Sequence, residues 1–337
     1  MATLSLCLIV KNEEEYLPRC LESVNGIADE IIIVDTGSRD ATIEIAKRFG
    51  ARIIHHKWQD DFAEARNVSL EAASCEWVLV LDADEELPQE TRARIKSFIN
   101  ISDVQADGVE ILVRSELPAE DAAHYDESKI VRLFRRRIEY RYVMPIHEQI
   151  RGAIENAGGK IVASDLVIMH HGYARRKVQG KAGDVSSGES RADRNLRMLY
   201  RAISLYPHDP YFHYQTGATL MSIGKRSEAY AELSKVLDLD YQRLGTPILD
   251  KLYMKMSQLL LEQNNCDKAI EFAEKSLQCN SRNTISQYVA AIGYLSKNKI
   301  TEGYQYLLEI RKSADPNVCL GEKLDELIVA CEKLLKT

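Results

Sequence analysis

The sequence lacks several features that would assign it at once to a familiar class. None of its apolar runs approaches the length needed to span a bilayer, so we expect no transmembrane segment. Its seven cysteines are scattered, odd in number and without a C-x-x-C pair, which argues against a disulfide framework or a zinc site. We interpret them as core thiols of a reducing compartment. No basic leader precedes the apolar run at 4–10, so we expect no signal peptide and a cytoplasmic location.

Two further absences exclude classes of function. The formal net charge is −7, which gives no support for nucleic-acid binding, and we expect no nucleic-acid partner. The first apolar run leads into LIVKNEEE (8–15), which contains neither G-x-G-x-x-G nor a glycine-rich phosphate loop. This disfavours an NAD-dependent enzyme and a nucleotidyltransferase.

The first hundred residues instead contain short apolar runs that alternate with helical patterns. The runs, rich in β-branched residues, occupy 4–10, 31–34, 51–54 and 77–81. The helical patterns include one with Leu17, Leu21 and Val24 on one face, and one that Asp40 would cap and Gly50 would end. Short apolar runs rich in β-branched residues are typical of strands that are covered on both faces. We therefore predict a doubly wound, mostly parallel α/β sheet.

The rest of the chain divides into three parts. Residues 108–114, 130–136 and 161–171 are strand-like and should continue the sheet on an acceptor side. Residues 174–194 are polar and rich in glycine and serine, and predict a linker or lid. The expected domains are therefore 1–173, a linker at 174–194, and a helical domain at 195–337.

The helical domain shows an internal repeat. Small residues recur in phase at Gly217, Ser257 and Ala291, each followed twelve residues later by another, at Ala229, Ala269 and Gly303. The third unit follows the second at the 34-residue period of tetratricopeptide repeats, while the first is lengthened around 242–249. The region resembles about three degenerate tetratricopeptide hairpins, although an ordinary helical bundle stays open.

The stretch WVLVLDADEE (77–86) runs from a buried strand directly into four carboxylates. With a period of two along a strand, Asp82 and Asp84 share a face, and like charges that converge raise each other's pKa unless something neutralises them. Hard oxygen ligands of this kind suit Mg²⁺ or Mn²⁺. The alternative is a solvated acidic turn in front of a helix that Pro88 would begin.

Seven segments in order carry a family resemblance: LIVKNEE, VDTGSRDAT, DFAEARN, WVLVLDADEE, RLFRR, IHEQI and HHGY. The series resembles the family-two glycosyltransferases of GT-A fold, in the bacterial branch with a C-terminal tetratricopeptide region. That resemblance implies inverting transfer from a nucleotide-diphospho-sugar, most often a UDP-sugar, with Mn²⁺ or Mg²⁺. It also suggests a peptide or protein acceptor bound through the repeats and glycosylated on Ser, Thr or Cys. A homodimer through the helical domain is left open.

The resemblance also implies roles for individual residues. Asp82 and Asp84 match the D-x-D motif, the first near the ribose or the metal-bound diphosphate and the second on the metal, with His170 as a further metal ligand. The residues expected at the donor are Val10, Asn12, Glu13, Asp35, Arg66, Asp82, Ala83 and Arg176, while Asp82, Asp84 and His170 form the expected metal set. Arg176 belongs to a basic run that could fold over the diphosphate as a lid.

The general base is expected in MPIHEQI (144–150), where Glu148 is the preferred residue and His147 would line the acceptor site or orient it. Structural alternatives remain open for each of these residues. Asp35 could form an Asx-turn before Gly37, and Arg66 could pair with a helix neighbour. His147 and Glu148 could be a structural pair, and His170 a core histidine. A scaffold protein with a degenerate nucleotide-binding domain, or an enzyme acting on a glycan or lipid-linked acceptor, is the alternative function.

Overall fold

The computed structural model describes residues 1–100, 106–117, 124–171, 190–313 and 321–336. The chain forms two compact units, Met1–Met198 and Leu199–Thr337. Within the described ranges, no helix has the length and apolar character to cross a membrane. Most of the expected linker, 174–194, lies outside the described residues, and only its end, from Arg191, belongs to a described helix. The predicted domain boundaries therefore stay predictions.

The first unit is an α/β unit. Its strands are β1 (Leu4–Val10), β2 (Glu30–Asp35), β3 (Arg52–His55), β4 (Trp77–Val80), β5 (Glu85–Glu86), β6 (Gly108–Leu117), β7 (His124–Arg135) and β8 (Ile161–His170). Its helices are α1 (Leu17–Ser23), α2 (Thr42–Arg48), α3 (Phe62–Ala72), α4 (Gln89–Asn100) and α5 (Arg151–Asn156).

One sheet joins these strands in the order β3-β2-β1-β4-β7-β6-β8-β5. The strands β3, β2, β1 and β4 are mutually parallel, as predicted, and β7 then pairs antiparallel with β4. Buried apolar residues pack on both faces of this sheet, in two clusters that include Trp77 on one side and Val78 on the other. The α/β fold class is thus confirmed. The two-residue strand β5 was not predicted, because nothing but its pairing with β8 makes it a strand.

Local chemistry explains most helix ends. Asp61 caps α3, since its Oδ1 accepts from the backbone N–H of Glu64 at 2.9 Å. Gly50 ends α2 with φ of 71°, a left-handed conformation that glycine adopts without strain. The predicted cap at Asp40 is wrong by one residue, because Ala41 occupies the cap position. Asp40 instead accepts from the backbone N–H and the hydroxyl of Thr42.

The helices that follow are α6 (Arg191–Leu205), α7 (Pro210–Ser222), α8 (Arg226–Leu237), α9 (Thr246–Glu262), α10 (Cys266–Cys279), α11 (Thr284–Ser296), α12 (Ile300–Ser313) and α13 (Gly321–Leu334). A short 3₁₀ turn, Tyr241–Leu244, occupies the predicted insertion. The in-phase small residues lie where paired helices touch. A Cβ on Gly217 would meet Leu233 Cγ at 2.5 Å, and one on Gly303 would meet the carbonyl of Ala291 at 3.0 Å. The helical-repeat fold class is confirmed.

The last helix covers the end of the repeats. Leu324, Ile328 and Cys331 of α13 are buried against Leu307 and Ile310 of α12. At the end of this helix and just after it, Leu334 and Leu335 are 58% and 45% exposed.

The cysteine prediction holds in part. Cys7, Cys20, Cys75 and Cys331 are buried, whereas Cys266 and Cys279 are half-buried at the ends of α10. All six are free thiols. Cys319 lies outside the described residues.

Candidate active site

The polar strand ends meet through the pairing of β5 with β8. Glu85 faces His170 in this antiparallel pair, and the backbone N–H of His171 donates to the carbonyl of Asp84 at 3.0 Å. Residues 82–86 and the end of β8 are therefore held side by side, although they are far apart in the sequence.

Two arginines neutralise the first aspartate of the D-x-D. Arg66 Nη2 donates to Asp82 Oδ1 at 2.7 Å, and Arg132 Nη2 donates to Asp82 Oδ2 at 2.9 Å. Burial alone would raise the pKa of Asp82, but the two guanidinium groups hold that pKa well below its usual range. The ion pairs explain how a strand that ends in four carboxylates is tolerated.

A second carboxylate lies beneath Asp82. Glu85 is 3% exposed, accepts from Arg132 at 2.8 Å, and also accepts from the backbone N–H of Asp82 at 2.8 Å. Burial raises the pKa of Glu85 to about 7, with Arg132 opposing and Asp82 adding to the rise. Arg132 thus bridges two carboxylates, Asp82 with a lowered pKa and Glu85 with a raised pKa.

The second aspartate of the D-x-D lies beside a histidine. Asp84 Oδ2 is 3.3 Å from His170 Nε2, and the other ring nitrogen of His170 lies 3.0 Å from Ser115 Oγ. Burial lowers the pKa of His170, but the neighbouring Asp84 carboxylate outweighs it and the pKa is raised. His171 lies against other partners, with its ring nitrogens 3.0 Å from Glu116 and 3.3 Å from Glu86.

Asp84 and His170 fit a divalent cation as two ligands. Atoms bound at right angles to one ion at about 2.1 Å are about 3 Å apart, close to the separation of Oδ2 and Nε2. The hydroxyl of Ser115 would fix the ring of His170, as outer-shell partners of metal-bound histidines do. The described part of the chain holds no cluster of three or more metal-ligating side chains, so the remaining ligands would come from substrate phosphates and water.

Glu148 joins the same network from the segment between β7 and α5. Its Oε1 accepts from Arg66 Nε at 2.6 Å, and its side chain is 13% exposed. Oε2 of Glu148 makes no hydrogen bond with the described residues. His147 is exposed and has a φ of 56°, a left-handed conformation that turns it away from the strand direction. Arg66 is therefore shared by Asp82 and Glu148.

Neither arginine is saturated by these contacts. Arg66 Nη1 and Arg132 Nε are buried and have no hydrogen-bond partner among the described residues. Arg66 also lies over the ring of Tyr142, with its Cζ 5.6 Å from the ring centroid. The site thus contains cationic donors in excess of the contacts that its own carboxylates make.

Asp35 lies at the opposite end of the sheet edge, in the wall of a cavity of about 500 Å³. It is 4% exposed and accepts from the backbone N–H groups of Gly37 and Ser38, and His55 Nδ1 lies 3.3 Å from its Oδ2. The Asx-turn considered as an alternative is present, and it coexists with a place in the cavity. Lysine, arginine, histidine and tryptophan side chains complete the lining: Lys11, Arg39, His56, Lys57 and Trp58.

The other donor residues expected from the sequence lie along the first strand exit and the D-x-D. Asn12 has φ of 55° and accepts from the backbone N–H of Arg39 at 2.8 Å, so its side chain braces the loop after β2. The Val10 carbonyl accepts from Thr36, and the backbone N–H of Glu13 donates to Thr42. Ala83 is 5% exposed. Arg176 lies outside the described residues.

Sequence reasoning assigned no role to Arg132 and Ser115. Arg132 stands inside the apolar run IVRLF (130–134), where a charged residue on a buried strand requires a partner, and that signal could have identified it. Ser115 carries no such signal, because its role depends on the pairing of β6 with β8.

The architecture is an open α/β sheet with paired carboxylates at its carboxyl edge, where such sheets bind their ligands, followed by helical repeats. Residues 5–151 match the model of glycosyl transferase family 2, which supports a domain of this family in the α/β unit.

One similar protein is named for its helical repeats and another as a glycosyltransferase. A TPR repeat-containing protein of Synechococcus elongatus is 35% identical over 82% of this chain and 66% of its own length. The SPbeta prophage-derived glycosyltransferase SunS of Bacillus subtilis is 25% identical over 78% of this chain and 60% of its own length. The chain thus spans less than two thirds of the length of these relatives.

Among solved structures, glucosyl-3-phosphoglycerate synthase from Mycobacterium tuberculosis, in complex with Mn²⁺ and uridine-diphosphate-glucose, is 25% identical. Its TM-score is 0.30, and the match covers 34% of this chain and 44% of that one.

Proposed function

We propose that the chain is a metal-dependent, inverting glycosyltransferase that moves a sugar from a nucleotide-diphospho-sugar, with a UDP-sugar as first choice, to a polypeptide side chain. The observation that carries the proposal is the shared guanidinium of Arg66, which joins Asp82 to Glu148 through contacts of 2.7 and 2.6 Å. One carboxylate on the donor side and one on the acceptor side are thereby held in one network.

The donor would lie along the carboxyl edge of the sheet, with its nucleoside in the cavity beside Asp35. Each oxygen of Asp82 accepts from one arginine and keeps a further lone pair, which could accept a ribose hydroxyl. The unpaired N–H groups of Arg66 and Arg132 keep positive charge beneath the site where the diphosphate would lie.

Asp84 and His170 would hold the metal. When bound, Mn²⁺ or Mg²⁺ supplies positive charge that stabilises the leaving diphosphate. The role of the protein is to hold the two ligands in place. Ser115 would orient the imidazole of His170, and the pairing of β5 with β8 would fix the position of Asp84.

Glu148 is proposed as the general base. In an inverting transfer the acceptor oxygen or sulfur bonds to the anomeric carbon as the bond to the diphosphate oxygen breaks on the opposite face. The acceptor proton passes to Glu148 Oε2, which makes no hydrogen bond with the described residues, while Arg66 holds Oε1 in place. His147 would line the acceptor side.

The acceptor class rests on the helical repeats. Stacked helical hairpins present extended surfaces suited to a peptide, which supports a polypeptide acceptor, and a second subunit could use the same surface. A glycan or lipid-linked acceptor would not require such a surface.

The test is nucleotide-sugar binding and hydrolysis with Mn²⁺ and no acceptor, across a panel of nucleotide-sugars. We expect one donor to raise the melting temperature and to be hydrolysed slowly, and Asp84→Ala to lose both effects while it stays folded. Asp165→Ala, which removes a carboxylate of the same unit that is 73% exposed, is the control and should behave as wild type. Donor turnover that survives in Asp84→Ala and in chelator would refute the metal-dependent mechanism.

A further inference from the structure

The loop between β3 and α3 forms one wall of the cavity beside Asp35. Its residues His56, Lys57 and Trp58 line the cavity, and the loop ends at the α3 cap, Asp61. The position of this loop therefore decides the width of the cavity.

Asp60 is the residue that fixes the loop. It has φ of 57°, a left-handed conformation that few residues other than glycine, asparagine and aspartate adopt readily. Its Oδ1 accepts from Trp58 Nε1 at 2.8 Å, so the indole that lines the cavity is oriented by Asp60.

Asp60 is held in turn by the first turns of α6. Arg197 donates from Nε to Oδ2 at 2.9 Å and from Nη2 to Oδ1 at 2.8 Å, a bidentate pair. Arg194 lies over the ring of Phe62, with its Cζ 5.8 Å from the centroid, and that ring meets Trp58 edge-on at 4.8 Å. One arginine of α6 thus contacts the loop itself, and a second contacts the first residue of the helix that follows the loop.

We propose that Arg197 is a positioning residue of the donor site, which acts through Asp60 to set Trp58 against the bound nucleoside. The inference rests on the proposed function for the identity of the ligand, though not for the ordering of the loop. It places the start of α6 with the donor site, although Arg197 lies beyond residue 194, where the sequence predicts the helical domain to begin.

The first measurement needs no ligand. The chain has two tryptophans, and Trp77 is fully buried whereas Trp58 is half-buried, so acrylamide quenching of fluorescence reports on Trp58. Arg197→Ala should increase the quenching, and Trp58→Phe should remove the quenchable component. Arg94→Ala breaks another arginine–aspartate pair on the surface of the same unit and should leave quenching unchanged.

The second measurement is UDP binding in the presence of Mn²⁺, by calorimetry. Arg197→Ala should weaken UDP binding by about two- to five-fold, the range expected for an exposed ion pair, with kcat for donor hydrolysis unchanged. Asp60→Asn tolerates the left-handed backbone and should shift affinity in the same direction. The double variant should bind no more weakly than Arg197→Ala alone, because both changes break one contact.

The outcomes separate the two proposals. Unchanged quenching and unchanged UDP affinity in Arg197→Ala would overturn the positioning role. Fully additive effects of Arg197→Ala and Asp60→Asn would overturn it as well. If the wild-type chain binds no UDP while Arg197→Ala still increases quenching, the loop contact stands and the assignment of the cavity to a UDP-type donor fails.

Discussion

Each unit of the molecule holds an aspartate in a hydrogen-bond network, and the two networks differ in their donors. Asp82 in the α/β unit is held by two arginines, each of which keeps a buried N–H without a partner among the described residues. Asp250 in the helical unit, 8% exposed, accepts only from neutral groups. Its donors are Ser276 Oγ at 2.6 Å, Asn283 Nδ2 at 2.7 Å and Asn280 Nδ2 at 3.1 Å.

The difference separates a candidate ligand-binding site from a structural hydrogen-bond network. Neutral donors from α10 and the turn before α11 hold both oxygens of Asp250 and tie three helices together, as a structural network does. The network at Asp82 contains more than one carboxylate and also arginine N–H groups without a partner among the described residues. An incompletely satisfied polar network of this kind is typical of a functional site. The four predictions below test that contrast.

The largest effect is expected at the base. Glu148→Gln should keep donor affinity and lower kcat for transfer by about 10²–10⁴-fold, because the amide cannot accept the proton. Glu155→Gln removes a half-exposed carboxylate of the same unit and serves as the control, with kcat unchanged. Near wild-type turnover in Glu148→Gln would mean that His147 or another group accepts the proton.

The next effect concerns the buried ion pairs. Arg132→Met should cost about 3–5 kcal/mol of unfolding free energy, because it leaves Glu85 and Asp82 without their shared cation. Adding Glu85→Gln should recover part of this loss. Arg135→Met, on the same strand with a side chain 35% exposed, should cost much less in chemical denaturation. Equal stability of the two methionine variants would contradict the account of the network.

In the helical unit, Asp250→Asn should lower the unfolding free energy by about 1–3 kcal/mol, because an amide N–H₂ would face the donors of Asn283 or Asn280. Donor hydrolysis should stay unchanged. Asp267→Asn, whose side chain is 77% exposed, is the control for loss of a carboxylate in the same unit. A loss of donor binding in Asp250→Asn would show that the Asp250 network is not purely structural.

The smallest effect is a dependence of stability on pH. The hydrogen bond from His213, with Lys235 as a second partner, lowers the pKa of Glu232 from 4.5. A lowered pKa contributes stability above the unfolded pKa, and that stability is lost as pH falls through the folded one. The advantage of wild type over Glu232→Gln should thus be up to about 1 kcal/mol at pH 7 and shrink toward pH 4.

Glu228→Gln, on the same helix and 55% exposed, should show no such trend. A difference between wild type and Glu232→Gln that grows on acidification would contradict the sign of the shift.

The features of the fold that were predicted correctly are those that depend on local sequence pattern. The β1 run 4–10 is correct to the residue, because an apolar strand buried on both faces leaves no ambiguity about its ends. The recurrence of small residues such as Gly217 and Ala229 also located the helix contacts, since close approach of two helices excludes larger side chains there.

What the sequence did not show depends on pairing between distant segments. Strand β5 exists only through its bonds to β8, and the same bonds bring His170 to Asp84. Arg66 was expected to contact the donor, and no periodicity could reveal that it lies between Asp82 and Glu148. The Asp40 cap was placed one residue early, although Asp40 does accept from the backbone N–H of Thr42 in the first turn of the helix.

Two adjacent histidines with different partners lie at the end of β8 and just after it, His170 beside Asp84 and His171 beside Glu116. The register of β8 against β6 shifts once, between Glu110 and Leu112, and thereafter stays in step to its end. Deletion of a single residue beyond that irregularity would exchange the faces of both imidazoles at once. Sequences built on this scaffold can thus vary freely in the length of their surface loops, but the stretch from Val167 to His170 admits substitutions and no change of length.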